Sequence, residues 1–396
     1  MPILVKNHNI STPKILQVEI SSACNANCIY CPRTVLRDRW VSAFMDPGLF
    51  RKVIREALEI GSIEYVHLQG WGEPTLHPNL VDLMNEVSGR VSFRFTTNAT
   101  LLDGNNAEKI LSKGVNVIAI TFAGTRAITH NSIRKGCDFD KVVRNVKYIL
   151  NAKKRLGSDV RVIASYMMLS MNVHEIPEFI KLCSDLGIEE VVLDNLSYIL
   201  NRGMVIWKAF SDPYKIRPRR VERIVRMAMD RARELGIKVF NYSLSCWEST
   251  EYPEKPTESV FINVNGETSP CVFLNLPARD SGIPRCFMGS CFKVRRLSFG
   301  NVTNKQLLEI WLDKEYVDFR SRFIRRRALG DSVNITEHSV IEYLPPSPCI
   351  SCYRLWRVIN SLILRLITPP DPITLSERRR HWEYVQSRWP SHGAEI

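Results

Sequence analysis

The chain has 396 residues, of which 45% are hydrophobic and 24% are charged, so it is long enough for one large domain and one smaller domain with buried cores. It contains no run of about eighteen apolar residues, which excludes an ordinary membrane-spanning helix, and its first residues lack the layout of a secretion signal, so we expect a cytoplasmic protein. The formal charge of +13 favours an acidic partner, and eleven cysteines in a long chain of this kind indicate metal binding rather than disulfides.

Residues 14–241 alternate apolar strands with amphipathic helices. Asp46 and Pro47 mark one helix start, and that helix is expected to end near Gly61. Buried strands that alternate with helices predict parallel β/α units. Six such units fit a partial barrel or an open doubly wound sheet, and the pattern alone does not choose between them. The predicted strands are 14–20, 63–68, 91–95, 115–122, 160–168, 188–193 and 237–241, and the predicted helices are 46–61, 78–88, 138–154, 172–186 and 218–235.

Three cysteines follow the first strand: Cys24, Cys28 and Cys31, in CxxxCxxC spacing. Thiolates are soft ligands that hold iron–sulfur clusters or zinc. Three protein ligands leave one corner of a four-iron cluster open, and an open metal position is where chemistry can occur. The spacing is also compatible with a zinc site or with three unrelated buried thiols.

This run resembles the radical S-adenosylmethionine (radical SAM) superfamily. The resemblance implies a partial (β/α)6 TIM-like barrel, a [4Fe-4S] cluster on Cys24, Cys28 and Cys31, and SAM bound to the open iron. In that family, reductive cleavage of SAM yields a 5′-deoxyadenosyl radical that abstracts hydrogen from a substrate. It also implies that Tyr30 packs against the adenine of SAM.

The segment Gly70-Trp71-Gly72-Glu73-Pro74 follows the second strand. It resembles the Gly-Gly-Glu-Pro motif of the same family, although Trp71 stands where the first glycine is usual. The resemblance implies that Gly70, Gly72, Glu73 and Pro74 lie at the amino group of SAM.

Polar residues at the ends of later strands extend the expected SAM site. Asn98 ends the third strand where the family often has Thr-Asn-Gly, with Ala99 in place of the glycine. Ser165 and Asn195 are candidates for contacts with the ribose or carboxylate of SAM, but each is also compatible with an ordinary solvated strand end. Arg134 belongs to a segment that resembles a pattern of enzymes with a C-terminal SPASM or twitch module; it could hold an anion, although a role in helix entry is favoured.

Beyond residue 241 the alternation is lost and cysteines and prolines become more frequent. Cys246, Cys271, Cys349 and Cys352 form a set of four thiols, enough for a cluster without an open iron. This arrangement resembles the twitch form of the SPASM module, which implies one auxiliary [4Fe-4S] cluster rather than two. A four-cysteine zinc site fits the same spacing.

Four cysteines remain outside these two sets. Cys286 and Cys291 could bind a further metal, form a redox pair or replace one of the four ligands, and these options stay open. Cys137 and Cys183 are expected at core positions as inert apolar side chains.

We therefore expect an α/β fold in which a partial barrel is followed by a smaller cysteine-rich twitch/SPASM-like domain. The expected segments are an N-terminal extension at 1–13, the barrel at 14–241, the auxiliary-cluster domain at 242–358 and a basic helical tail at 359–396.

The expected function is that of a radical SAM enzyme, supplied with electrons by a donor such as ferredoxin or flavodoxin. Its substrate is an unidentified peptide, protein or small molecule, and the stretch 193–196 resembles maturases of tungsten-pterin oxidoreductases. Modification of RNA is an alternative that the positive charge supports, although no RNA-binding module is visible. A non-catalytic metal-binding scaffold is a further alternative. No general acid or base can be named from the sequence.

Overall fold

The computed structural model describes residues 12–212, 218–241, 244, 252, 254–330 and 344–355. The described strands are β1 (Ile15–Val18), β2 (Asn27–Cys28), β3 (Tyr65–Leu68), β4 (Ser92–Thr97), β5 (Val117–Phe122), β6 (Arg134–Lys135), β7 (Arg161–Met168), β8 (Glu190–Asn195), β9 (Lys238–Asn241), β10 (Ser259–Ile262), β11 (Glu267–Ser269), β12 (Gly282–Phe287), β13 (Ser290–Arg295) and β14 (Gly300–Asn301). The described α-helices are α1 (Pro32–Val35), α2 (Pro47–Ile60), α3 (Leu80–Val87), α4 (Gly104–Leu111), α5 (Ala127–Ile133), α6 (Phe139–Leu156), α7 (Ile176–Leu186), α8 (Arg202–Val205), α9 (Arg219–Glu234), α10 (Leu307–Trp311), α11 (Lys314–Gly330) and α12 (Ser347–Ile350).

A ten-stranded sheet forms the centre of the described structure, in the order β14-β11-β10-β1-β3-β4-β5-β7-β8-β9. Neighbouring strands from β10 to β9 are parallel, whereas β11 and β14 pair antiparallel at one edge. Helices connect the successive parallel strands from β1 to β9, as parallel pairing requires. The predicted α/β fold with a mainly parallel sheet is thus confirmed.

Local sequence signals set the ends of the main helices. The Asp46 carboxylate accepts a hydrogen bond from the Leu49 N–H at 2.9 Å, and α2 ends at Gly61 in the left-handed conformation. Asp138 and Gly157 bound α6 in the same way. The alternation did not predict α4 and α5, which are short and carry few apolar residues.

The strands bury one face against the helices and keep the other partly accessible. In β7, Val162, Ala164, Tyr166 and Met168 are buried in the main core, while the side chains between them are partly exposed. Because successive side chains point to opposite faces of a strand, the partly exposed set lies on the face of the sheet opposite the main core.

The C-terminal part of the chain continues the same sheet. β10 lies beyond residue 241, yet it pairs with β1, Ile15 opposite Ser259. The Leu307 N–H at the start of α10 donates to Glu56 Oε2 on α2 at 2.8 Å, so this part is also fastened to the outer helices. The boundary at residue 241 stays a prediction, and nearly all of the predicted N-terminal extension and tail lie outside the described residues.

A second apolar core joins the loops after the strands to the C-terminal part. It includes Leu196, Tyr198 and Leu274 together with Cys271 and Cys352. No helix in the described ranges is long and apolar enough to cross a membrane.

Candidate active site

The cysteine loop begins after β1, at the carboxyl end of the parallel strands, where barrel enzymes bind their substrates. Cys28 is buried, whereas Cys24 and Cys31 are partly exposed, and the three share one contact cluster with Tyr30. The structure therefore brings the three predicted ligands together, with two of them accessible from outside the core. Their assignment to a cluster remains a prediction.

The charges around the loop differ from one thiol to the next. Burial raises the pKa of Cys24 to about 11 and that of Cys31 to about 12. By contrast, a hydrogen bond from Cys137 lowers the pKa of Cys28 to about 6, against the effect of burial and with help from the nearby Arg134 guanidinium.

Arg134 is buried beside these thiols, and its Nη1 donates to the Tyr30 hydroxyl at 2.7 Å. Its Nε–H is also buried and has no hydrogen-bond partner among the described residues. A buried cation with an unused donor favours anionic groups nearby. Soft thiol donors next to such a cation fit a thiolate-bound iron–sulfur cluster.

No three His, Cys, Asp or Glu side chains in the described ranges are arranged to hold a single metal ion. The ligand sulfurs of a four-iron cluster sit on different irons and are further apart than those around one ion, where metal–sulfur bonds are about 2.3 Å.

The turn Gly70–Pro74 packs directly on the cysteine loop. A Cβ atom at Gly70 would lie 2.2 Å from the Glu19 side chain, and one at Gly72 would lie 2.3 Å from the Ser21 carbonyl oxygen. The Glu73 N–H donates to the Ala23 carbonyl at 2.8 Å. Only glycine allows this approach, so these two positions are fixed by the contact between the two motifs.

Glu73 is buried, and its carboxylate is held by protein groups. It accepts hydrogen bonds from the Thr97 hydroxyl at 2.6 Å, the Asn98 N–H at 2.7 Å and the Thr75 hydroxyl at 2.6 Å. Pro74, also buried, begins the short 3-10 turn that follows. Glu73 therefore ties the turn after β3 to the end of β4, and its side chain is already used in that role.

Asn98 lies beside the cysteine loop. Its Nδ2 donates to Asn25 Oδ1 at 2.8 Å and is 4.0 Å from Cys24 Sγ. Ala99 follows in the left-handed conformation, with φ of 61°, which explains why glycine is common there in the family. The Asn145 amide donates to the Ala99 carbonyl at 2.8 Å and helps to hold this strained residue.

Ser165 and Asn195 lie on neighbouring strands. The Ser165 hydroxyl donates to Asp194 Oδ2 at 2.8 Å, and Asn195 is the last residue of β8. Both lie towards the carboxyl ends of their strands, the same edge of the sheet as the cysteine loop. Contacts of either residue, or of Tyr30, with SAM remain predictions.

Trp71 connects the turn to the C-terminal part, a contact that the sequence did not predict. Its indole N–H donates to the Val272 carbonyl at 3.1 Å, and its ring centroid lies 5.3 Å from that of Tyr198 and 5.6 Å from that of Phe273. Val272 and Phe273 directly follow Cys271. The two predicted cluster regions are therefore joined through an aromatic group, and the tryptophan at an expected glycine position was the sequence signal for it.

The second set of thiols gathers in the second core. Cys271, Cys349 and Cys352 are buried, and the Tyr252 hydroxyl is 3.0 Å from Cys352 Sγ. Although burial lowers the pKa of the Arg285 guanidinium, nearby thiolates, Cys352 first, raise it overall. Cys246, the fourth predicted ligand, lies outside the described residues.

The four remaining cysteines lie in three different environments. Cys286 and Cys291 form a disulfide across the β12–β13 hairpin. Of the three roles that the sequence left open for them, the structure shows the one in which the two cysteines pair with each other. Cys183 is buried in the main core, as expected. Cys137 is also buried, as expected, although it lies in the small cluster that contains Cys28 and not in the main core.

Comparison with protein families agrees with this geometry. Residues 18–183 match the radical SAM superfamily, and residues 254–336 match the SPASM iron–sulfur cluster-binding domain. The tungsten-containing aldehyde ferredoxin oxidoreductase cofactor-modifying protein of Pyrococcus furiosus is 26% identical over 81% of this chain and 86% of its own length. The PqqA peptide cyclase of Bradyrhizobium diazoefficiens is 26% identical over 47% of this chain and 47% of its own length, so this match spans about half of each.

Solved structures share the fold. SuiB of Streptococcus suis bound to S-adenosylmethionine superimposes with a TM-score of 0.60 at 20% identity, covering 89% of this chain and 73% of SuiB. The anSMEcpe structure with bound AdoMet gives a TM-score of 0.58 at 17% identity, covering 95% of this chain and 94% of that chain.

Proposed function

We propose that this chain, which belongs to the radical SAM superfamily and carries a C-terminal SPASM domain, matures the metallocofactor of a tungsten-pterin oxidoreductase. The observation that carries the substrate proposal is the similarity to the Pyrococcus cofactor-modifying protein along most of both chains. A match of that extent includes the loops and the second domain, where substrate contacts are made.

We assign three roles to the site residues. Cys24, Cys28 and Cys31 would hold the [4Fe-4S] cluster, which would supply the electron for reductive cleavage of SAM. Gly72 lets the backbone of the turn lie against the cysteine loop, and Tyr30 offers its ring to the adenine.

The SPASM domain adds auxiliary iron–sulfur chemistry. Cys271, Cys349 and Cys352, with Cys246, would hold one auxiliary [4Fe-4S] cluster, which would accept an electron from the substrate radical or position the substrate. The buried Arg285 would offset the negative charge of the thiolates.

An acidic electron donor of the ferredoxin or flavodoxin class fits the surface beside the cysteine loop. Arg33 Nη2 donates to Asn27 Oδ1 at 2.8 Å, and Asn27 pairs with the exposed Lys135. Two cations therefore flank the strand that carries Cys28, and opposite charge on a donor would steer its encounter.

Modification of a peptide is the second candidate. It is supported by the similarity of about half of the chain to PqqA peptide cyclase. That match covers less of the chain, so cofactor maturation is the better supported proposal.

The experiment is anaerobic reconstitution of the full chain with iron and sulfide, followed by assay of 5′-deoxyadenosine from SAM and dithionite. Cys28→Ala should abolish deoxyadenosine, whereas Cys183→Ala, which removes a buried thiol of the main core, outside the cluster that contains Cys28, should keep it. Cys349→Ala should still form deoxyadenosine but no product.

The substrate is identified by isotope transfer. Tungsten-pterin cofactor released from an oxidoreductase grown in deuterated medium should pass deuterium to deoxyadenosine. Deuterium from a labelled acceptor peptide, with none from the pterin, would favour the second candidate. Deoxyadenosine formation that survives Cys28→Ala would contradict the assignment of the site itself.

A further inference from the structure

A partly accessible ion pair lies beside the second set of cysteines, and the function proposed above gives it no role. Arg354 Nη1 lies 2.9 Å from Glu254 Oε1, with 20% of the arginine side chain and 18% of the glutamate side chain exposed. Arg354 Nε also donates to Ser197 Oγ at 3.1 Å. Three distant segments of the chain therefore meet at this pair: the loop after β8, the residues before β10 and the residues that follow Cys352.

Aromatic rings adjoin the ion pair. The guanidinium carbon of Arg354 lies 4.9 Å from the centroid of the Phe273 ring. The Phe273 centroid is in turn 5.6 Å from that of Trp71 and 5.3 Å from that of Tyr198, and both Phe273 and Trp71 are partly exposed. Trp71 belongs to the turn that packs on the first cysteine loop, whereas Phe273 follows Cys271 by two residues. The ion pair and the rings thus connect the two predicted cluster regions.

A carboxylate next to aromatic rings is suited to recognising a flat heterocycle. Aromatic side chains stack on the face of such a ring, and a carboxylate accepts hydrogen bonds from two adjacent N–H donors at its edge. The two oxygens of a carboxylate accept about four hydrogen bonds, so Glu254 can serve Arg354 and a ligand together. The pterin ring has an edge of this kind, because an amino group stands next to a ring N–H.

We propose that Glu254 binds the amino and N–H edge of the pterin ring of the substrate. Arg354 holds the carboxylate in place, and Phe273 and Trp71 offer ring surface to the heterocycle. The proposal rests on the proposed function, which makes the substrate a tungsten-pterin cofactor. It concerns binding alone and includes no covalent or redox step.

The test compares two small probes, pterin and lumazine, in the anaerobically reconstituted full-length protein. Lumazine has a carbonyl oxygen where pterin has the amino group, so it presents an acceptor to the carboxylate instead of a donor. Each probe is equilibrated with the protein by dialysis, and the free probe is measured by its fluorescence. Wild type should bind pterin at least about tenfold more tightly than lumazine, the ratio expected for one hydrogen bond to a charged group.

Three variants assign the preference to particular side chains. Glu254→Gln should reduce the ratio to about one, because an amide both donates and accepts. Glu258→Gln is the matched control: this acid lies in the same segment, paired with Lys255, and its loss should leave the ratio unchanged. Phe273→Leu should weaken both probes about two- to tenfold and keep the ratio, since it removes stacking and not the edge contact.

Equal affinity of the wild type for the two probes, or binding of neither, would overturn the proposal. A pterin preference that survives Glu254→Gln would overturn it as well, and the ion pair would then only tie the chain segments together. Such a result with deuterium still passing from the cofactor to deoxyadenosine would leave the proposed function intact. A Glu254-dependent preference with deuterium taken from a peptide alone would support this binding site and contradict the proposed function.

Discussion

Replacement of Glu19 by glutamine should remove a large pH dependence of stability. Glu19 is fully buried between the cysteine loop and the turn Gly70–Pro74, and its Oε1 accepts the Trp71 N–H at 2.8 Å. Its Oε2 is buried without a hydrogen bond from the part of the chain that the structure describes. Burial raises the pKa of this carboxyl from 4.5 to about 7, although the backbone N–H groups of Trp71 and Val264 and the charge of Arg296 oppose the rise.

This raised pKa determines the sign and the size of the pH dependence of stability. A carboxyl with a raised pKa contributes its stability below pH 4.5 and loses it as the pH rises towards about 7. At about 1.36 kcal/mol per pKa unit, the rise corresponds to about 3 kcal/mol. Glutamine keeps an oxygen for the Trp71 N–H and has no charge to bury, so Glu19→Gln should lose none of this stability at high pH.

The assay is equilibrium urea unfolding of the full chain under anaerobic conditions, followed by tryptophan fluorescence between pH 4.5 and pH 8. Relative to wild type, Glu19→Gln should gain up to about 3 kcal/mol of unfolding free energy across this range. A difference between the two proteins that does not change with pH would refute the reasoning, because the buried charge would then have no energetic effect.

Glu175→Gln should show the opposite trend in the same unfolding series. Burial alone would raise the pKa of Glu175, but hydrogen bonds from Thr125 and Thr129 lower it overall. The extra unfolding free energy of the wild type should therefore shrink as the pH falls through that pKa. Lys135→Glu should slow cluster reduction by an acidic ferredoxin far more than reduction by dithionite, in stopped-flow absorbance, with Arg223→Glu on α9 as the charge-matched control. Trp71→Gly should lower the unfolding free energy by about 2 kcal/mol, since it deletes the aromatic contacts and the indole hydrogen bond to the second core.

Much of the sheet could be predicted from local sequence. Runs such as 115–122 and 160–168 are apolar enough to mark buried parallel strands, and the observed β5 and β7 fall inside them. Capping residues such as Asp46 and Gly61 place helix ends closely because their effect is local. The helices α4 and α5 carry too few apolar residues for the same signal.

Contacts between distant segments could not be predicted in this way. The β2–β6 pair has two residues on each side, Asn27 with Lys135 and Cys28 with Arg134. Strands of that length have no periodicity, so the contact between Cys137 and the Cys28 cluster could not be predicted from the residues alone. The pairing of β10 with β1 was not predicted for a related reason. It depends on a long-range contact, and the loss of alternation after residue 241 indicated a separate unit.

Trp71 stands where the Gly-Gly-Glu-Pro motif has its first glycine, and this difference shows which positions of the turn must lack a side chain. Gly70 and Gly72 have no room for a side chain, because a Cβ at either would strike Glu19 or the backbone of the cysteine loop. The residue between them points the other way, towards Tyr198 and Phe273. A large aromatic residue is therefore compatible with the turn. At a position where the motif usually has glycine, Trp71 makes a contact between the barrel and the part of the chain that carries the second set of cysteines.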